Sequence, residues 1–123
     1  MKFQPERLDG VNAIQASTAQ QLTVNQQVWT RSVLVPWQGE ISAWPCNRIE
    51  DLQISHFESL LVWEPEVVIV GTGSRHHFVS PRLSHPLLTR RIGVESMDTA
   101  AACRTYNILV GEGRRAIAVL LLD

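Results

Sequence analysis

Two uninterrupted aliphatic runs constrain the fold of this chain more than any other feature. Val67-Val68-Ile69-Val70 and the stretch from Ala116 to Leu122 contain no polar residue. A strand with one wet face alternates apolar and polar side chains, so a continuous β-branched run predicts a strand covered on both faces. Neither run approaches the roughly 20 residues that a membrane-spanning helix needs.

Covering both faces takes helices, and the second half of the chain carries their signals. Ser55-His56-Phe57-Glu58 reads as a capping box, with Phe57, Leu60 and Leu61 on one helical face before Pro65 stops the helix. Gly71-Thr72-Gly73 ends the first aliphatic strand. Ser84-His85-Pro86 predicts a short helix from about Ser84 to Arg91, because Pro86 breaks a helix running through it, with at most a loose turn at Ser80-Pro81 before it. Ile92 to Glu95 is the next strand. Asp98 then caps a helix running to about Val110, closed by Gly111 and Gly113. The first half reads as short strands at Val11 to Ser17, Leu22 to Val24, Val28 to Val35 and Ile41 to Trp44. Asn25-Gln26-Gln27 and Gln38-Gly39 supply turns, and Pro36 and Pro45 act as stops. The expected fold class is α/β: a three-layer sandwich with a central mixed β-sheet flanked by helices and an N-terminal β-meander.

The 123 residues suit a single domain, 1–123. A net charge of −1 excludes a general nucleic-acid binder, which needs a basic face. Two isolated cysteines, Cys46 and Cys103, with no CxxC, point to reduced thiols. Residues 1–12 are polar and include Pro5, Glu6, Arg7 and Asp9, so no export signal is expected and the location expected is cytoplasmic.

Three segments carry a resemblance: Val67 to Gly73, Gly93 to Asn107, and Glu112-Gly113-Arg114-Arg115 before the last strand. Together they resemble a widespread family of uncharacterised small domains whose eukaryotic branch includes a mitochondrial respiratory complex I assembly factor and an adipogenesis-associated protein. The resemblance covers nearly the whole chain. It implies a three-layer α/β fold, an assembly or scaffolding role, and protein partners that include membrane-complex subunits. It supplies no catalytic residues and no cofactor to carry over.

Parallel strands ending near Gly73 and Glu95 would share a carboxyl edge, where open α/β sheets place ligands. Thr72, Ser74, Arg75, Glu95, Asp98 and Thr99 are expected to line that crevice, with Arg104 and Asn107 sharing a face of the following helix. Arg104 is expected to pair with Glu95 first and Asp98 second, either as a structural network or as a ligand site. Other constellations are weaker. Gly71-Thr72-Gly73 lacks the third glycine of a dinucleotide fingerprint, because position 76 is His76. His76-His77 are adjacent and point to opposite faces, so no metal site is expected. Cys103 reads as a small buried thiol. Of Trp29, Trp37, Trp44 and Trp63, Trp29 or Trp37 is the candidate for an exposed interface residue. The functional expectation is a non-enzymatic interaction or assembly module, with a small-molecule-binding protein or enzyme using the crevice as the alternative.

Overall fold

In the computed structural model, which describes residues 10–123, the chain begins with a small antiparallel sheet of its own. The expectation drawn from residues 1–12 falls, up to residue 9, outside the described residues. Strand β1 (Ile14–Ser17) pairs with β2 (Leu22–Val24), and β2 with β3 (Gln27–Trp29). Asn25 and Gln26 form the β2–β3 turn with φ of 50° and 68°. Two successive left-handed residues match the twist of a tight hairpin. The single strand expected from Val28 to Val35 is two strands, parted at Thr30-Arg31-Ser32. There the Ser32 carbonyl accepts the Trp44 amide and its buried hydroxyl accepts the Leu122 amide at 2.9 Å. Those bonds redirect the backbone into β4 (Val33–Pro36), and the return strand shortens to β5 (Ser42–Ala43).

After a 3₁₀ turn at Ile49–Asp51 comes α1 (Ile54–Glu58). Its reciprocal cap sits earlier than expected. Gln53 is the capping residue, and its amide donates to His56 Nδ1 at 2.9 Å. A ring-nitrogen lone pair replaces the carboxylate of the usual box, and Ser55 lies inside the first turn. The helix tightens into a 3₁₀ turn at Ser59–Trp63.

The rest follows as β6 (Val67–Gly71), α2 (Pro81–Leu88), β7 (Gly93–Met97), α3 (Thr99–Gly111) and β8 (Ala116–Leu120). Helix α2 starts three residues earlier than expected and runs through Pro86. Pro81 holds the first helical position, where no amide is needed, and Ser80 caps it. Pro86 forfeits one bond, to the carbonyl of Arg82, a residue on the exposed side where water can replace it.

The large sheet has the order β5-β4-β8-β6-β7. Strands β8, β6 and β7 are parallel, and β4 runs antiparallel to both of its neighbours, β8 and β5. Both aliphatic runs are buried on both faces. Val67 and Ile69 pack with α3 residues Ala102, Cys103 and Tyr106 and with Ile14, Leu22 and Val24 of the small sheet. Val68 and Val70 pack with Phe57 of α1 and Leu87 of α2. The architecture is the expected three-layer α/β sandwich with a mixed central sheet. The meander is divided: β1–β3 form a separate sheet that shares the outer layer with α3, while β4 and β5 extend the central sheet.

Tyr106 and Asn107 bolt that outer layer together. The buried Tyr106 hydroxyl donates to the Asn12 carbonyl at 2.9 Å, with the Pro36 carbonyl 3.1 Å away. Asn107 Nδ2 donates to the Ile14 carbonyl at 2.7 Å, and its Oδ1 accepts the Ile14 amide at 3.1 Å. A side-chain amide thus completes an outer edge of β1 that would otherwise be unpaired.

Candidate functional site

Strands β6, β7 and β8 all end at the same rim, and the chain leaves β6 toward α2 on one face and β7 toward α3 on the other. Such a divergence opens a crevice at the carboxyl ends. Its floor is a polar latch built on Thr99, a buried residue of the first turn of α3. Thr99 Oγ1 donates to the Leu121 carbonyl at 2.7 Å and accepts the Gly73 amide at 2.8 Å. The Thr99 amide donates to the Gly73 carbonyl, and the Leu121 amide to the Gly71 carbonyl. One hydroxyl therefore joins the exits of β6 and β8 to the start of α3. Asp98 caps the helix by accepting the Ala101 amide at 2.9 Å.

Above this floor lies a cavity of about 270 Å³ lined by Ser17, Thr18, Ser74, Asp98, Thr99 and Asp123, among others. Gly73 has φ of +102°, and an added Cβ there would lie 2.6 Å from the Asp123 carboxylate. Asp123 accepts from the Ser74 amide at 3.2 Å, and the Ser74 hydroxyl lies 3.3 Å from its other oxygen. On the far side of Asp123 a second depression of about 260 Å³ is bordered by Arg48, Thr72, Arg75 and His77. Thr72 is a hub rather than a lining group. Its hydroxyl donates to the Arg75 carbonyl at 2.7 Å and accepts the His77 amide at 3.0 Å, which ties the loop after β6 into a tight coil.

The sequence-predicted residues divide three ways. Ser74, Asp98 and Thr99 meet at the cavity, and Thr72 and Arg75 border the adjoining depression. Glu95, Arg104 and Asn107 line neither. Glu95 is exposed on β7, Arg104 is on the exposed side of α3, and Asn107 is spent on β1. The two ion pairs among the described residues are Arg48–Glu50 and Arg114–Glu66, so the expected Glu95–Arg104 or Asp98–Arg104 pair is absent from them. Geometry explains the miss, because Glu95 and Arg104 belong to elements that diverge at the rim. Sequence reasoning missed Ser17, Thr18, Leu121, Leu122 and Asp123. The end of β1 reaches the rim through tertiary packing, for which the sequence carries no local signal. The position just after a central strand was the available clue for Asp123.

Neither thiol is activated. Burial pushes Cys103 up to about 12, against weaker lowering by Ser17 and Arg104. Burial also raises Cys46. Trp29 and Trp37 are half-buried against the core rather than exposed, so the exposed apolar side chains lie elsewhere, at Val62, Phe78 and Ile108 among others.

Thr99→Val is expected to cost about 2–3 kcal/mol, because it strands the buried Gly73 amide and Leu121 carbonyl together. Thr99→Ser should retain most of that stability. Urea denaturation of the two variants measures the difference, and equal midpoints would contradict the latch.

A sequence profile for the family described as Protein of unknown function (DUF498/DUF598) matches residues 14–121. The NADH dehydrogenase (ubiquinone) 1 alpha subcomplex assembly factor 3 of Bos taurus is 36% identical over 80 residues, covering 63% of this chain and 44% of that protein. The 13 kDa major membrane protein of Francisella tularensis subsp. holarctica is 28% identical over 78 residues, covering 61% of this chain and 63% of that one. The chain spans about half the length of the assembly factors it matches. A crystal structure of a Bordetella parapertussis protein superposes with a TM-score of 0.88 at 38% identity, covering 95% of this chain and 100% of that chain.

Proposed function

We propose, from the premise that the chain belongs to the DUF498/DUF598 family, that it is a non-enzymatic interaction module assisting the assembly of a multisubunit complex. Its partners on this reading are proteins, subunits of a membrane complex among them. The similarity to assembly factor 3 is the observation that carries the proposal. The state of the crevice supports it. Most of its polar groups bond to one another: Thr99 to Gly73 and Leu121, Asp98 to Ala101, and Ser74 to Asp123. A polar cluster that satisfies itself serves to hold a surface in shape. No helix among the described residues is long and apolar enough to cross a membrane. We therefore assign the chain, as one domain over residues 1–123, to the reducing cytoplasm, acting on the exposed parts of a membrane complex.

Deletion of the gene should deplete a respiratory membrane complex on native gels and accumulate its subassemblies, with recovery on re-expression. Unchanged complex levels would remove the assembly reading. The alternative, a small-molecule site, draws on the cavity of about 270 Å³, which approaches the small end of ligand pockets, roughly 300 Å³. A metabolite at 100 times its dissociation constant would add about 2.7 kcal/mol of stability, a rise that thermal-shift screening detects.

A further inference from the structure

We infer that two copies of this chain associate through the free edge of β7, pairing antiparallel about a two-fold axis at Val94 so that their central sheets become continuous. The edge is an open one. Strand β7 is terminal in the sheet, and nothing among the described residues pairs with its outer side. The Gly93 amide donates to the Glu66 carbonyl, and the Met97 carbonyl accepts the Thr72 amide, so odd-numbered residues spend their backbone groups on β6. The amides and carbonyls of Val94 and Ser96 therefore face outward. Proteins blunt such edges with brevity, proline or lysine. The opposite edge follows that rule, because β5 is only Ser42–Ala43. Strand β7 has five residues and neither proline nor lysine.

The charges on this edge select a second copy of the chain as its occupant. Exposed Arg90 and Arg91 precede the strand, while exposed Glu95 lies within it and Asp98 follows. The edge is thus positive at one end and negative toward the other, and antiparallel self-pairing sets each end against its opposite. The register follows from the same charges. An axis at Glu95 would place the two Glu95 side chains directly opposite, which is unfavourable. An axis at Val94 sets Val94 against Val94 and Glu95 against the bare Gly93, and it brings the turn that carries Arg90 and Arg91 to the end of the strand beside the other copy's Glu95. The loop beside this edge is fixed to it, with His76 Nε2 3.2 Å from Ser96 Oγ, and it carries Phe78, 76% exposed.

Sedimentation velocity on the full chain at about 100 µM, where modest self-association is populated, is expected to give twice the 13.8 kDa monomer mass. Glu95→Arg and Arg91→Glu should each weaken the dimer at least tenfold, and the double variant should restore it. Ser96→Pro removes an outward amide without touching the β6 ladder, so it should give a monomer whose melting temperature stays near that of the parent. If that variant fails to fold, the charge reversals still decide. A monomeric parent chain would overturn the inference. So would a dimer indifferent to the single reversals, or one that the double variant fails to restore. Tighter association on Glu95→Arg would also overturn it, by making Glu95 a guard against pairing.

Discussion

Replacing Gly71 by alanine is expected to lower stability by about 2–3 kcal/mol, the usual cost of forcing a methyl group into a filled core. A Cβ at that position would lie 2.9 Å from both the Thr99 Cα and its Oγ1, and 3.1 Å from the Ala102 Cβ. Helix α3 starts there, and Thr99 is held in place by Gly73 and Leu121. The helix end must therefore move as backbone, and the latch loosens with it. The melting temperature should fall by about 10 °C for a domain of this size. Gly111→Ala is the control, because nothing lies within 4 Å of its added Cβ. It should be neutral or stabilising by up to about 1 kcal/mol through helix propensity. Equal melting temperatures for the two variants would refute the close approach of β6 and α3.

The second large effect is a loss of stability in alkali. Burial raises Cys103 from 9.0 to about 12, and it raises the buried Tyr106 from 10.0 as well. Both acids are held neutral by the fold, so the unfolded chain releases protons that the folded chain keeps. Their contribution is complete below about pH 9 and is lost as the pH rises toward the folded values. From about pH 9 to 12, Cys103 alone should remove about 1.4 kcal/mol per pH unit. Tyr106 should steepen the decline above pH 10, its unshifted value. Urea midpoints between pH 8 and 11 measure the slope. Cys103→Ala and Tyr106→Phe should each flatten it, and a profile level across that range would contradict both assignments.

Those two residues also mark how far the sequence can be read. Cys103 was legible as a buried thiol because free cysteines are usually buried and it sits inside a helix, between Ala102 and Arg104. The order of strands and helices in the second half was legible from Val67 to Leu122, because unbroken aliphatic runs and capping residues act locally. The first half was harder. The split of the expected Val28–Val35 strand depends on Ser32 receiving the Leu122 amide, a contact across 90 positions. The reach of Asn107 to Ile14 is equally distant, and it removed Asn107 from the expected crevice. Arg104 and Glu95 were paired on chemistry alone, since nothing in their spacing records that β7 and α3 separate. Pro86 misled for a different reason. A proline inside a helix costs one backbone bond and crowds the preceding turn, and here that cost falls on the exposed side of a short helix that Ser80 and Pro81 start well.

The position of β8 has a consequence for synthesis. It is the last of the described strands, yet it lies between β4 and β6. Until residues 116–120 leave the ribosome, Val33 to Pro36 and Val67 to Gly71 have no strand to join them. The nascent chain therefore carries β4 paired only with β5, and β6 paired only with β7, until β8 inserts between them. Chaperone dependence and aggregation should thus concentrate in that interval, and loss of β8 would part the sheet through its middle rather than fray it at an edge.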